Sequence, residues 1–462
     1  MEEKSKEFFS LSGTVAVKEI LAWNILIHDV SLLPLPDPAH FIEKGWLAIR
    51  GPQISAFGKG DPPPHSAGKR IDGTGCVAMP GLVNSHLHAS MTLFRGLADD
   101  LPLKAWLEEH MFPAEGKWVN EEFVYWGTLL ACAEMIRSGT TAFSDGYFFE
   151  DQAAQAALRS GMRGLVAQGI LDFPTPDSPS PAEAIKRIKR FIKDYSGSSL
   201  IKPAIFAHTV YTCSPDLLKK CRNLAERYAV PLITHLSETQ TEVKEVIKKY
   251  GRRPINHLES LGLFSSPLIA CHCVWLNEEE MDLLARRKVP VVHNLESNLK
   301  LASGVAPVPE LLSRGVVVGL GTDGCASNNN LDLFQEMDFV AKVHKAHRLD
   351  PTVMPAQTVL EMATLGGARV LGMEKEIGSL EVGKKADVII LDLNKPHLQP
   401  VYNIVSHLVY SATGADVRDV IIDGKVIMEN RRLLTLEEEQ ILSKAKEWGE
   451  KISAKSLISS NL

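Results

Sequence analysis

The residues most able to do chemistry in this 462-residue chain are histidines and carboxylates that close apolar runs. In PGLVNSHLHAS (80–90) such a run ends on His86-Leu87-His88. Side chains at i and i+2 of a strand point the same way, so two imidazoles converge from one rigid element. Imidazole nitrogens suit zinc or iron, and two of them make half of a metal site. The same pattern also fits two polar residues where a strand emerges into a loop. The rest of the chain decides between these readings: His208, His235, His272 and Asp323 close apolar runs in the same manner.

The elements that must position them follow from periodicity. Apolar runs at Thr140–Ser144, Arg163–Ile170, Ile205–His208, Leu232–His235, Leu268–His272, Val289–His293 and Val316–Asp323 read as strands. Between them lie amphipathic stretches such as Val124–Ser138, Pro181–Tyr195, Pro215–Tyr228 and Glu278–Arg287. Roughly eight β-then-α units predict an α/β fold, a (β/α)8 TIM-like barrel over 80–380. An open doubly wound sheet is the alternative, but it gathers its site at one switch point, whereas here polar residues recur at many strand ends. In a barrel those ends share one mouth.

Both chain ends have another character. Residues 1–79 and 381–462 carry short β-type runs, among them Ala22–Ile27, Trp46–Arg50, Ala386–Leu391 and Val417–Ile422, with Gly, Pro and Asp turns between them. They predict one small β-sandwich domain assembled from the two termini, with a terminal helix.

Composition narrows the function classes. A net charge of −6 argues against a nucleic-acid or anionic-membrane partner. No apolar run approaches the ~20 residues of a membrane span. The opening MEEKSKEFFSLS lacks a signal peptide's apolar core and reads as a frayed tail, which with seven irregularly spaced cysteines predicts a cytoplasmic protein. Cys271 and Cys273 flank His272, but no second thiol pair stands nearby to complete a metal knuckle, and they read as small buried hydrophobes.

The ordered series PGLVNSHLH, HLSE (235–238), His272 and GLGTDG (319–324) resembles the amidohydrolase superfamily. HNLESNLKLASGVAPVPELL (293–312) and GTDGCASNNNLDLFQEM (321–337) resemble its 5-methylthioadenosine/S-adenosylhomocysteine deaminases. The resemblance implies that His86, His88, His235 and Asp323 hold one divalent metal: zinc, with iron(II) or manganese(II) as alternatives. It implies a single ion, because the fourth strand carries His208 and no lysine at its end to bridge two.

The implied activity is hydrolytic deamination of an adenosine-type nucleoside, with Glu238, His272 and Asp323 as catalytic residues. Glu238 protonates the ring nitrogen, while His272 and Asp323 orient the attacking water and take its proton. Glu238 also reads as an ordinary acid in the first turn of a following helix. Glu115 and His208 are expected on the ribose, with a surface glutamate as the other reading of Glu115. Trp106 is expected on the 5′ substituent or as a buried structural residue. Members that accept S-adenosylhomocysteine are expected to carry an arginine where this chain has Gln168, and Arg163 stands at the wrong end of that strand. Gln cannot offer a carboxylate the charge of Arg, so 5-methylthioadenosine or adenosine is expected to serve at least as well as S-adenosylhomocysteine.

The rival enzymes are guanine deaminase and a triazine amino- or chlorohydrolase of the same superfamily. From another class, a catalytically silent barrel would have lost ligands that this chain keeps. The resemblance further implies a small-molecule substrate and a homo-oligomer.

Overall fold

The computed structural model describes residues 23–459 apart from Pro36 and His65, so the tail expected to fray lies outside the described residues. Five strands come first: β1 (Trp23–Leu32), β2 (Ile42–Arg50), β3 (Gln53–Lys59), β4 (Ala67–Asp72) and β5 (Cys76–Pro80). Eight follow in the middle of the chain: β6 (Leu82–Leu87), β7 (Thr140–Tyr147), β8 (Arg163–Ile170), β9 (Ile201–Thr209), β10 (Leu232–Leu236), β11 (Leu268–His272), β12 (Val291–His293) and β13 (Val318–Leu320). They pair in sequence order as one parallel sheet, with helices between successive strands.

The sheet is nearly closed into a barrel. Its inner core takes Val83, Ala142, Leu165, Ala167, Phe206, Ile233, Cys271 and Val292 from successive strands. The seam between β6 and β13 is bridged beyond the strands, where Asn84 Nδ2 donates to Thr322 Oγ1 (2.8 Å) and Asp323 N donates to the His86 carbonyl (3.0 Å). Cys273 lies in the outer core, and all seven cysteines are free and buried, as small hydrophobes.

After the barrel, β14 (Val388–Asp392), β15 (Val417–Ile422), β16 (Lys425–Glu429) and β17 (Arg432–Leu433) return to the start of the chain. β14 runs antiparallel to β5, Ile390 opposite Ala78, so the two termini share one nine-stranded sheet. Its core mixes Ile25, Ile27, Leu47 and Ile49 with Val388, Ile390 and Ile421. The last helix, Glu438–Ser459, leaves this module and packs on the barrel helix Glu121–Arg137, with the Trp448 ring 5.4 Å from that of Phe123 and Glu438 bonded to Arg137.

One buried ion cluster joins module to barrel. Arg163, at the start of β8, donates to both oxygens of Asp387 (2.8 and 3.1 Å) and to Asp423 (3.3 Å), with 1 % of the arginine side chain exposed. The carboxylates hold its guanidinium above the ordinary arginine range against the pull of burial. Beside it the chain turns from β5 into β6 at Gly81, where a Cβ would lie 2.0 Å from Thr141 Oγ1. Removing one member of a buried pair strands the other charge and costs about 3–5 kcal/mol. Arg163→Met is therefore expected to lower the thermal and urea midpoints of unfolding, while KM measured well below the transition stays unchanged.

Candidate active site

Three strand ends deliver the four ligands that the sequence predicts. His86 closes β6, His88 follows it by two residues, His235 lies in β10, and Asp323 follows β13. One donor atom from each lies within 4.8 Å of all the others. His86 Nε2 and His235 Nε2 are 3.0 Å apart, and Asp323 Oδ1 lies 3.3 Å from His88 Nε2 and 3.7 Å from His86 Nε2. Donors about 2.0–2.2 Å from a tetrahedral zinc are separated by about 3.3–3.6 Å, so these edges, at 3.0–3.7 Å, are of the length a metal-binding set needs.

The charges fit as well. Burial holds the His86 and His235 imidazoles well below their ordinary range, so each ring is neutral and has one lone pair to offer a metal. Burial opposes a charge on His88, yet Asp323 holds its imidazole above the ordinary range. Burial likewise opposes the Asp323 carboxylate, but His88 and its neighbours keep it well below the carboxylate range. Two bare nitrogens facing each other at 3.0 Å repel unless a proton or a cation lies between them.

A second ring of residues aims the ligands. His88 Nδ1 donates to the Gly146 carbonyl (2.7 Å), which leaves Nε2 free for the metal. Ser297 and Ser327 donate to Asp323 Oδ2 at 2.6 and 2.9 Å, so its Oδ1 is the oxygen that faces the histidines. Phe206 of β9 floors the cluster, its centroid 5.0 Å from that of His235 and 5.7 Å from that of His88.

His272 and Glu238 stand over this set. Both sit in turns that L residues rarely adopt, with φ at +72° for His272, +51° for Ser237 and +62° for Asp323. A non-glycine residue at positive φ is strained, and such strain gathers where side chains must be turned into a site. Asn298 Nδ2 donates to His272 Nδ1 (2.9 Å), which leaves the ring proton on Nε2, 3.8 Å from Glu238 Oε2. Burial pushes the Glu238 carboxyl upward, and Ser303 donates to its Oε1 (3.2 Å). The following helix starts at Gln240 behind the Thr239 cap, so Glu238 precedes the helix and is not one of its first-turn acids.

Glu115 and His208 line the same inner cavity. Tyr147 donates to Glu115 Oε1 (2.6 Å), and burial pushes that carboxyl up to about 7. Burial and His88 push His208 down to about 3, so it is neutral, with Nδ1 2.9 Å from Thr212 Oγ1. Trp106 lines the cavity while donating to the Ala98 carbonyl (3.1 Å), which joins the two readings of it.

Gln168 is placed elsewhere. Leu165 and Ala167 fill the barrel interior, so alternation turns Gln168 outward to the helix layer, where its amide donates to Asp177 (2.8 Å). Its neighbour Gly169 lines the cavity instead, and the expected substrate contact at Gln168 is corrected. The strand parity available in the sequence carries this signal. Ser297, Ser327 and Asn298 are not among the residues expected from the sequence, where they stand in the polar stretches HNLESNLK (293–300) and GTDGCASNNN (321–330) with nothing local to mark them.

Residues 77–427 match the Amidohydrolase family. The chain belongs to that family. It is 53% identical to a 5-methylthioadenosine/S-adenosylhomocysteine deaminase of Syntrophobacter fumaroxidans over 91% of this chain and 96% of that one. It is 44% identical to a 5′-deoxyadenosine deaminase of Methanosarcina acetivorans over 94% and 99%. Among solved structures, a zinc-bound adenosine deaminase from Xanthomonas campestris superposes with a TM-score of 0.91 at 39% identity, over 94% and 99% of the two chains. In this amidohydrolase the His-His-His-Asp set is a divalent-metal site, with zinc the ion of that neighbour.

Hydrogen bonds to ligands tune metal affinity by about 10–100-fold. Ser297→Ala is expected to weaken metal binding by that order in competition with a chromogenic chelator, and Ser297→Ala/Ser327→Ala by more.

Proposed function

We propose that this amidohydrolase hydrolytically deaminates adenosine-type nucleosides, giving the inosine-type product and ammonia. The observation that carries the reading is Glu238: a buried carboxyl, raised by desolvation, held beside His272 over the ligand set. The names of the relatives point to the same chemistry, as does the pairing of Glu115 with His208 in the inner cavity.

A divalent ion on His86, His88, His235 and Asp323 lowers the pKa of water toward ~7 and so supplies a nucleophile at neutral pH. The chain's own groups do the rest. Asp323 accepts the proton of the attacking water, since its carboxylate stays ionised in this pocket. His272 orients that water through Nε2–H. Glu238 delivers a proton to the ring nitrogen beside the attacked carbon, which makes that carbon electrophilic. The proton held at Asp323 then passes to the amino group, which leaves as ammonia, while the hydroxyl proton of the added oxygen returns to Glu238 and leaves the product carbonyl. One ion suffices for this, and the fourth strand supports one: Phe206 floors the cluster, and its lysine, Lys202, pairs with Glu376 at the opposite end.

Glu115 accepts hydrogen bonds from ribose hydroxyls and His208 contacts the sugar, which separates this reading from guanine deaminase and the triazine hydrolases. The 5′ substituent meets an apolar wall of Leu103, Trp106, Leu107, Phe112, Phe148 and Leu171. Among the described residues lining this cavity none is Lys or Arg. Lys104 and Lys300 line a wider outer chamber, where they pair with Glu245 and Asp99. A zwitterionic 5′ tail therefore finds no free cation in the inner cavity. This restores the substrate preference on a different footing from Gln168.

Glu238→Gln is expected to keep its metal and lose roughly 10²–10⁴-fold in kcat, read by ammonia release alongside metal content. The same loss in kcat for guanine or a triazine as for nucleosides, with guanine or triazine the faster substrate, would hand the site to those rivals. Across substrates, kcat/KM for 5-methylthioadenosine and adenosine is expected to equal or exceed that for S-adenosylhomocysteine. A preference of about a hundredfold for the latter refutes the apolar-wall argument.

A further inference from the structure

Two buried glutamates outside the ligand set are bonded to backbone rather than to substrate space. Glu242 is the third residue of the helix Gln240–Tyr250, whose Thr239 cap accepts from Glu242 N (3.1 Å). In a capping box the carboxylate three residues into the helix returns to the cap's own N–H. Asn277 and Glu280 close that box on the helix Glu278–Arg287. Glu242 does not. It reaches further back, its Oε1 accepting from Ser237 N (2.8 Å) and its Oε2 from Glu238 N (2.7 Å).

Glu336 does the same across a tertiary contact. From the helix Leu333–Arg348 it accepts from Leu295 N (2.6 Å) and Glu296 N (3.3 Å), the first residues of the short helix that carries Ser297 and Asn298. Ser297 holds Asp323, and Asn298 holds His272. Both glutamates are buried, and neither has a cation within salt-bridge distance among the described residues. Burial pushes the Glu242 carboxyl up to about 8 and the Glu336 carboxyl well above its ordinary range, so each is a costly way to satisfy backbone donors that a serine or a water would also satisfy. Glu280, by contrast, has Arg253 at 2.9 Å.

We propose that Glu242 and Glu336 are positioning residues for the reaction, Glu242 fixing the turn that aims Glu238 and Glu336 fixing the helix that aims Asp323 and His272. A rigid acceptor on two successive N–H groups sets both position and rotation of a peptide plane. Misplacement of a catalytic group by about 1 Å can cost about 10²-fold in rate. A carboxamide of the same size keeps one acceptor and turns an N–H₂ against the second backbone N–H, so Gln removes the clamp without emptying the space.

The proposal rests on the proton-donor role of Glu238, and the test separates the two. Full-length, metal-loaded Glu242→Gln, Glu336→Gln, Glu280→Gln and Glu238→Gln are compared with 5-methylthioadenosine as substrate, for kcat, KM, chelator-competed metal affinity and thermal midpoint. Glu242→Gln is expected to lose roughly 10–100-fold in kcat with KM within about threefold and metal affinity unchanged. Glu336→Gln is expected to lose kcat and, through Ser297, about tenfold in metal affinity. Glu280→Gln is expected to lower the midpoint and leave kcat and metal affinity as they are. Wild-type kcat in Glu242→Gln and Glu336→Gln at full metal occupancy, or losses no larger than in Glu280→Gln, overturns the proposal. Should a Gln variant not fold, Glu242→Asp keeps the carboxyl group and withdraws it by one methylene; an unchanged kcat there also overturns it. An active Glu238→Gln would instead remove the proton-donor reading on which the proposal stands.

Discussion

The constraint on which the structure depends is the approach of His86 Nε2 and His235 Nε2 to 3.0 Å inside a fully buried pocket. Two desolvated imidazoles bring lone pairs together, with an ionised carboxylate alongside. A proton shared between the two nitrogens or a bound cation relieves that repulsion, and a divalent ion would meet the charge of the carboxylate as well. Each strand end is fixed against this demand: β6 and β13 must meet closely enough for Asp323 N to bond the His86 carbonyl, and the same bond helps to close the barrel. Barrel closure and ligand convergence are one geometric event.

What surrounds the ligands is a layer of buried carboxylates bonded to backbone. Asp145 accepts from Ala89 N (2.9 Å), the residue after His88; Glu242 holds Glu238; Glu336 holds the helix of Ser297 and Asn298. Glu242 bonds the backbone N–H of Ser237, one of the three residues held at positive φ beside the ligands, with His272 and Asp323. Strain of this kind is held by neighbours that over-determine the backbone. The carboxylate that would have closed an ordinary capping box on the helix Gln240–Tyr250 is engaged upstream, at Ser237 N and Glu238 N.

The sequence made the barrel and the ligands legible because both depend on local pattern. The run Arg163–Ile170 is β8 to the residue, and Pro181–Tyr195, Pro215–Tyr228 and Glu278–Arg287 are helices with the bounds that periodicity assigned. Val316–Asp323 was read as one strand, yet β13 stops at Leu320 because Asp323 turns at φ +62° to face the histidines. Tertiary contacts override periodicity there. Gln168 failed for a simpler reason: position along a strand says which end of the barrel a residue occupies, and only parity says which face. The positioning layer was invisible because Glu336 and Leu295 are 41 residues apart, and nothing local marks a glutamate as an acceptor for a distant N–H.

The division between metal chemistry and substrate choice follows from the same geometry. Ligands come from strand ends, whose positions the whole barrel fixes, so they change only at the expense of the fold. The wall that meets the substrate comes mostly from the segment 103–118, a helical stretch that widens to π-type winding over Trp106–Met111 and supplies Leu103, Trp106, Leu107, Phe112 and Glu115. Leu103, Leu107 and Phe112 border the inner cavity and the outer chamber alike, with Tyr211 and Leu301 completing the collar between them. A single segment that carries the expected ribose acceptor and most of the apolar collar can alter what enters without disturbing His86 or His235. In this chain the barrel ends carry the metal ligands, while one segment outside the strands lines most of the cavity above them.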